Sequence, residues 1–322
     1  SPQSMDQNPA LTPETRINIG LPVISSIYGQ FSNTGFTWRD VVMLNDQDSL
    51  EITPDNLYDA LGNRNYNMLN VSVDYLSFGF RVNKNYFALN LTERITGRLT
   101  YTQDLLGLAL YGNGDERYLG AGNEVDWSGT GFDGQAYREL GLSWTRDLNE
   151  EGTFKVGGRV KYLNGTLASR TENSDITLTT DEPYYTLSAN SDFTHHLSGF
   201  NNQLFAQDTA NPMVGDYFLG KNHGVGLDIG FQMEPIESVL RISASIVDLG
   251  FIRYTNDVLN ISSNDAPFEF RGLDFNDAPD DLEVVDGEYL DSLLQALGDS
   301  ISSIFLPDST NEAFNAPTVP RF

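Results

Sequence analysis

The residues with the best claim to chemistry in this chain are those of "GDYFLGKN" (215–222), where four residues separate Gly215 from Gly220 and Lys221. A phosphate-cradling loop needs one residue more, a Ser or Thr after the lysine to hold magnesium, and a helix whose N-terminus faces the phosphates. Here Asn222 follows the lysine and a strand-like segment follows Asn222, so no nucleotide is expected. The three histidines are His195 and His196 in "FTHHLSG", and His223. Adjacent residues of an extended chain point apart, and no carboxylate stands at a fixed ligand spacing from them, so they read as loop histidines rather than metal ligands. No "GxSxG" turn presents a serine nucleophile. The absence of cysteine excludes thiol catalysis and cysteine metal sites. The acidic run "DFNDAPDDLEVVDGE" (274–288) lacks the register of a calcium loop and reads as a solvated anionic loop. The expectation is a protein that is not an enzyme, with no catalytic residue, no cofactor and no metal.

One basic set remains. Arg94 and Arg98 in "YFALNLTERITGRLTY" (86–101), and Arg159 and Lys161 in "TFKVGGRVKYLNG" (153–165), recur along one side of alternating segments. They could form a ladder for anionic solutes. More often such residues pair with Asp and Glu of neighbouring strands and of a plug.

The segments that carry them explain why. Successive side chains of a strand point to opposite faces. In 86–101 one face carries Phe87, Leu89, Leu91, Glu93 and Ile95, and the other carries Ala88, Asn90, Thr92, Arg94 and Arg98. In "GVGLDIGFQMEP" (224–235), Leu227, Ile229 and Phe231 alternate with Gly226, Asp228 and Gly230. A soluble sandwich would turn the apolar face to a second sheet and fill the polar face with wettable side chains. Arginine, lysine and glycine on one face instead suit the wet interior of a membrane β-barrel, whose outer face meets lipid. Phe87, Leu89, Leu91, Leu227, Ile229 and Phe231 are therefore expected to face lipid, and Arg94, Arg98, Arg159 and Lys161 the lumen. Glu93 is out of place on the apolar face; either a local phase slip turns it inward or a protein partner covers it.

Composition agrees. The chain has 322 residues, 39% of them apolar, with 29 glycines. Its 19 basic and 45 acidic residues give a net charge of −26, which argues against nucleic acid. No apolar run is long enough for a transmembrane helix, and a mean hydropathy of −0.32 is compatible with a barrel because alternation dilutes the hydropathy of each strand. The start at "SPQSMDQNPAL" reads as a mature terminus left after removal of a signal peptide.

Strands are expected at 16–33, 66–82, 86–101, 135–147, 153–171, 174–181, 184–193, 224–234 and 239–254. Short connections alternate with long ones, the parity of an up-and-down barrel, except at 172–173, where a long one is due. A phase slip between Tyr75 and Leu76 reads as a β-bulge. Residues 1–15 form an N-terminal periplasmic or plug segment, and 16–254 the barrel strands with their loops. An extracellular excursion covers 255–318. Within it "EYLDSLLQALGDSISSIF" (288–305) sets Leu290, Leu294, Leu297, Ile301 and Ile304 at helical spacing, an amphipathic helix for contact with a partner or a lid. "NAPTVPRF", with its prolines, is not expected to close the sheet. Residues 319–322 read as the start of a next strand, which implies that the natural chain continues by roughly five strands, on the order of 100 to 130 residues.

"NPA" (Asn8, Pro9, Ala10) ahead of the first strand, "IGLPVISS", "GLDIGF" and "SASIVDLGFI" resemble an uncharacterised family of Bacteroidota outer-membrane proteins. That family is similar to the long-chain fatty-acid transporter barrels and to barrel subunits of the type IX secretion and gliding apparatus. The resemblance covers most of residues 5–320. It implies an all-β, antiparallel up-and-down transmembrane barrel of about 14 strands, about nine of them within this sequence. It also implies an N-terminal plug motif, Asn8, Pro9 and Ala10, in or near the lumen. The expected location is the bacterial outer membrane, and the expected partners are outer-membrane lipid and other outer-membrane or periplasmic proteins, without nucleic acid or nucleotide. The expected role is a structural or partner subunit of a larger outer-membrane assembly. The alternative is a fatty-acid-transporter-like barrel for hydrophobic or small solutes. A transporter needs an apolar pocket inside, and an assembly subunit needs an apolar patch outside the lipid band.

Overall fold

The computed structural model of the chain describes residues 3–21, 26–44, 50–52, 54–111, 122–181, 186–200, 220–236, 239–263, 268–270, 305–307 and 311–318. In chain order its elements begin with α1 (Ser4–Gln7), β1 (Ile17–Gly20), β2 (Ile27–Asn33), α2 (Trp38–Val41), β3 (Val42–Leu44), β4 (Leu50–Ile52) and α3 (Pro54–Ala60). Long strands follow: β5 (Arg64–Val82), β6 (Asn85–Thr102), then α4 (Gln103–Tyr111) and β7 (Glu124–Asp126), β8 (Gly131–Asp147), β9 (Phe154–Asp181), β10 (Thr186–Ser198), β11 (Asn222–Ile236) and β12 (Leu240–Tyr254). Short strands end the list: β13 (Val258–Ser263), β14 (Phe268–Phe270), β15 (Phe305–Pro307) and β16 (Phe314–Pro317).

The molecule is mostly antiparallel β-structure. β1 and β2 both lie on β5, which pairs with β6, and the ladder continues through β8 to β9. The far edge of β9 is shared: its first half pairs with β11 and its second half with β10. β11 leads to β12 and β12 to β16, while β10 leads to β13 and β14, and β13 to β15. The sheet does not close. Among the described residues, the outer edges of β1 and β2 and most of the outer edge of β12 carry no partner strand.

Several sequence expectations change. The break placed at 172–173 does not exist, because β9 runs uninterrupted from Phe154 to Asp181. Polar residues there stay in the ladder, since β10 supplies hydrogen bonds to Asn173, Ser174 and Asp175. β10 and β11 run the same way along β9, one beyond the other, so they act as a single interrupted partner strand. The short link thereby moves to 182–185, between β9 and β10, and still stands where a long connection is due. The first three residues of "NAPTVPRF", with Phe314 before them, do form a strand, on β12, with Pro317 opposite Phe251 at its end, where a missing N–H is tolerated. The slip at Tyr75 is a bulge, because the register with β6 shifts between Asp74 and Leu76. The helix expected at 288–305 and the acidic run at 274–288 lie outside the described residues, apart from Phe305, which begins β15.

Register aligns the two faces across the strands. Phe78, Leu89, Leu142, Val160, Leu227 and Leu249 are successive cross-strand partners from β5 to β12, as are Leu76, Leu91, Leu140, Tyr162, Val225 and Phe251. These rows form one continuous apolar face, and it is exposed: Leu142 is 57%, Val160 58% and Val225 59% accessible. The opposite face carries Arg159, Glu139 and Asp228, each no more than 1% accessible. Charge inside and hydrocarbon outside is the reverse of a water-soluble fold.

Candidate functional site

Burying charge is costly unless it is paired, so the polar face holds a closed set of counter-ions. Arg94 on β6 donates from Nε to Glu139 Oε2 on β8 at 2.8 Å. Lys161 on β9 reaches Asp228 on β11 at 2.9 Å, Asp248 on β12 at 2.5 Å and Glu139 at 3.5 Å. Arg159 donates from Nε to Ser143 at 2.8 Å and from an Nη to Asp6 at 2.7 Å, with Glu139 and Asp228 each at 3.8 Å. Arg98 stands apart on β6, paired with Asp133 on β8 at 2.7 Å and stacked over Tyr66. All four basic residues singled out in the sequence lie on this face, and all are ion-paired. Arg94, Arg159 and Lys161 converge on one network.

The N-terminal segment completes that network. Met5 packs on Tyr86 and Ala88 of β6, and Ser245 of β12 donates to the Gln7 carbonyl at 2.6 Å. The Asn8 amide donates to the carbonyls of Phe231 on β11 and Ala244 on β12 at 3.1 and 3.3 Å, while its Oδ1 accepts from Ala10 N–H at 2.8 Å. Thr145 of β8 donates to the Pro9 carbonyl at 2.6 Å, and Arg81 of β5 donates to Thr12 and to the Pro13 carbonyl. The close approach depends on two glycines. A Cβ at Gly157 would lie 2.4 Å from the Pro9 carbonyl oxygen, and one at Gly230 2.1 Å from Asn8 Oδ1. Gly157 and Gly230 of the polar face are thus the seat of "NPA".

Above the ions the same face holds an apolar cluster of Tyr137, Leu163, Ile252, Tyr254 and Phe314. β16 is anchored there. Gln135 donates to the Pro317 carbonyl at 2.8 Å, Arg170 to the Asn315 carbonyl, and Thr318 N–H to Gly250 at 3.0 Å. His196, stacked on Phe314, bonds Asn260 and Glu172, whereas His195 bonds Ser169 and Thr171, so the two histidines do point apart. A cavity of about 820 Å³ remains, lined by Asp6 and Gln7, by Tyr28 and Gln30 of β2, and by Arg94 and Asp248. It lies between β2 and β12, and its wall mixes polar and apolar surface.

On the apolar face, Phe87, Leu227, Ile229 and Phe231 are exposed, and Leu89 and Leu91 are half-buried. Glu93 remains on this face between Leu91 and Ile95, so no phase slip turns it inward. It forms an ion pair with its cross-strand neighbour Arg138 at 2.9 Å, and the Arg138 guanidinium sits over the Tyr75 ring. Sequence reasoning missed the counter-ions Asp6, Glu139, Asp228 and Asp248. Asp228 had a local signal, an acid between Leu227 and Ile229. Leu290, Leu294, Leu297, Ile301 and Ile304 lie outside the described residues.

The arrangement defines an antiparallel β-protein with inverted polarity, its charged face stapled by its own N-terminal segment. The chain belongs to a family of unknown function, DUF5723, whose model matches residues 9–321. No curated protein and no solved structure matches it.

Proposed function

We propose that the chain is the wall of a bacterial outer-membrane β-barrel and serves as a structural or partner subunit of a larger outer-membrane assembly. The exposed apolar face supports the first half. A contiguous apolar surface of that extent is incompatible with water, and lipid-facing strands alternate in this way with a polar interior. The observation that carries the second half is that the interior is occupied by the chain itself, through the Asp6–Arg159 contact, the seated Asn8–Ala10 segment and a fully paired ion network. The cavity of about 820 Å³ presents charged and amide groups, those of Asp6, Gln7, Gln30, Arg94 and Asp248, rather than a purely hydrocarbon lining. Outside the apolar face, Trp38 on α2 is 74% exposed and is a candidate point of partner contact.

A second reading, uptake of small polar solutes, is favoured by that same cavity. Two measurements separate the readings. Under the assembly reading, the protein reconstituted in planar bilayers conducts no ions, and a photo-crosslinker replacing Trp38 in cells captures a discrete outer-membrane or periplasmic partner. Steady conductance that a polar solute blocks, with no crosslinked species at Trp38, reverses the choice.

A further inference from the structure

Both ends of the apolar face carry cations, but only one end gathers several without an acid among the described residues. At the end formed by the short turns, Arg241 pairs with Glu234 at 2.6 Å and Lys84 with Glu150 at 2.5 Å, which leaves Arg146, opposite Asn85 and Val156, as a single exposed cation. At the other end, the apolar-face positions of β11 run Phe231, Ile229, Leu227, Val225 and then His223, with Lys221 two residues before it. On β12, Phe251 is followed by Arg253. His223 and Arg253 are cross-strand partners, and Lys221, His223 and Arg253 are all exposed. No ion pair to Lys221 or Arg253 exists among the described residues. In a chain with 45 acidic and 19 basic residues, three neighbouring cationic or protonatable side chains without an acid are a local reversal of charge.

Their geometry suits one ligand. The Tyr162 hydroxyl lies 2.6 Å from His223 Nδ1, with the two rings stacked. If the hydroxyl donates, the imidazole carries its proton on Nε2 and offers it outward as a donor. Arg253 adds a planar fork matched to phosphate, and Lys221 adds a flexible point charge. Directly below lie Val225, Leu227, Leu249 and Phe251, which offer hydrocarbon and no polar group.

We propose that Lys221, His223 and Arg253, framed by Tyr162, bind the phosphate headgroup of an anionic membrane lipid whose acyl chains lie along Val225, Leu227, Leu249 and Phe251. This inference rests on the reading that the apolar face meets a bilayer. It goes beyond that reading by naming one rim position and one lipid chemistry. The site draws an anionic lipid out of a mixed membrane more strongly at this rim than at the opposite one, where Arg241 and Lys84 are paired and Arg146 stands as a single cation.

The test uses tryptophan reporters in the full chain, with Trp38→Phe and Trp127→Phe as background. One protein keeps Trp144 at the opposite rim, and the other carries Trp144→Phe with Phe251→Trp beside Arg253. Each is reconstituted in vesicles of phosphatidylglycerol and phosphatidylcholine in which one or the other lipid has brominated acyl chains, and fluorescence quenching gives the relative affinity. The expected result is a preference of about fivefold for phosphatidylglycerol at Phe251→Trp and a clearly smaller one at Trp144, which has only Arg146 beside it. Lys221→Gln with Arg253→Gln removes the preference, while Arg253→Lys retains most of it. Continued quenching by brominated phosphatidylcholine in every variant certifies that the protein is folded and inserted. Equal quenching by the two lipids at Phe251→Trp, or a preference that survives the double substitution, overturns the site and leaves the bilayer reading standing. Absence of quenching at both reporters overturns the bilayer reading, and the site falls with it.

Discussion

The Asp6 carboxylate lies 2.7 Å from the Arg159 guanidinium, although the two residues are 153 apart in the chain. Arg159 is 1% exposed and has Glu139 and Asp228 only at 3.8 Å, so Asp6 supplies its one close carboxylate. An interior charge on the sheet is thus compensated by a segment outside it. Asp6→Ala should lower unfolding free energy by about 1 to 3 kcal/mol, because a buried guanidinium loses a charged hydrogen bond while the more distant acids remain. Arg159→Met should cost more, about 3 to 5 kcal/mol, since it leaves Asp6 without its cation and makes Glu139 and Asp228 rely on Arg94 and Lys161 alone. Denaturant titration in detergent measures both. Equal, negligible effects would mean that the network does not bear on stability.

A paired experiment at neighbouring glycines isolates the seat of "NPA". Gly157 faces the Pro9 carbonyl at hypothetical Cβ contact of 2.4 Å, whereas a Cβ at Gly158, on the apolar face, would stand 3.6 Å from the nearest atom, the Asp228 carbonyl oxygen. Gly157→Ala should dislodge residues 8–10 or strain β9, at about 1 to 3 kcal/mol, and should expose the N-terminal segment to protease. Gly158→Ala should leave both properties unchanged. Cleavage that is alike in the two variants would remove the glycine from this role.

The two-faced strands were legible in the sequence because alternation is a local signal. Phe87 through Ile95 and Val225 through Met233 display it without reference to any other residue. The ion partners were not legible, because Asp6 meets Arg159 only after strands far apart in sequence come together. The false break at 172–173 has the same origin. Glu172, Asn173 and Ser174 look like a turn when read alone, yet β10 pairs with Asn173 and Ser174, and Glu172 is the extra residue of a bulge. The strand at 314–317 escaped because the prolines of "NAPTVPRF" argue against a central strand, and Pro317 is tolerated because, among the described residues, β16 pairs on a single side.

Glu93 and Arg138 test whether a charge pair on the apolar face is neutral in its effect. Arg138→Leu leaves a lone carboxylate there, and Glu93→Leu a lone guanidinium, which in lipid costs about 2 to 4 kcal/mol at mid-depth. The double substitution Glu93→Leu with Arg138→Leu should recover most of either loss, since an apolar pair of similar volume replaces an ion pair with little net change. A double-mutant cycle on unfolding free energy reads the coupling. Additive losses would show that the two charges are stabilised by something other than each other.

Accessibility decides what covers the apolar face. The chain has no cysteine, so single cysteines introduced at Phe87, Leu227 and Ile229 accept spin labels without background. These positions are exposed, and their cross-strand neighbours Trp144, Val160 and Gly158 leave no polar side chain beside them. In reconstituted bilayers, dissolved oxygen concentrates in hydrocarbon while a nickel chelate stays in water. Labels at all three sites should therefore relax strongly with oxygen and weakly with nickel. A label at Gln30, which lines the polar cavity, should show the opposite order. If Leu227 and Gln30 respond alike to nickel, the apolar face is not in lipid, and the proposals that rest on a membrane wall, including the phosphate site at Arg253, lose their footing together. If only Leu227 is shielded from both reagents, a protein surface rather than lipid covers β11, and the assembly contact lies on the sheet itself instead of at Trp38.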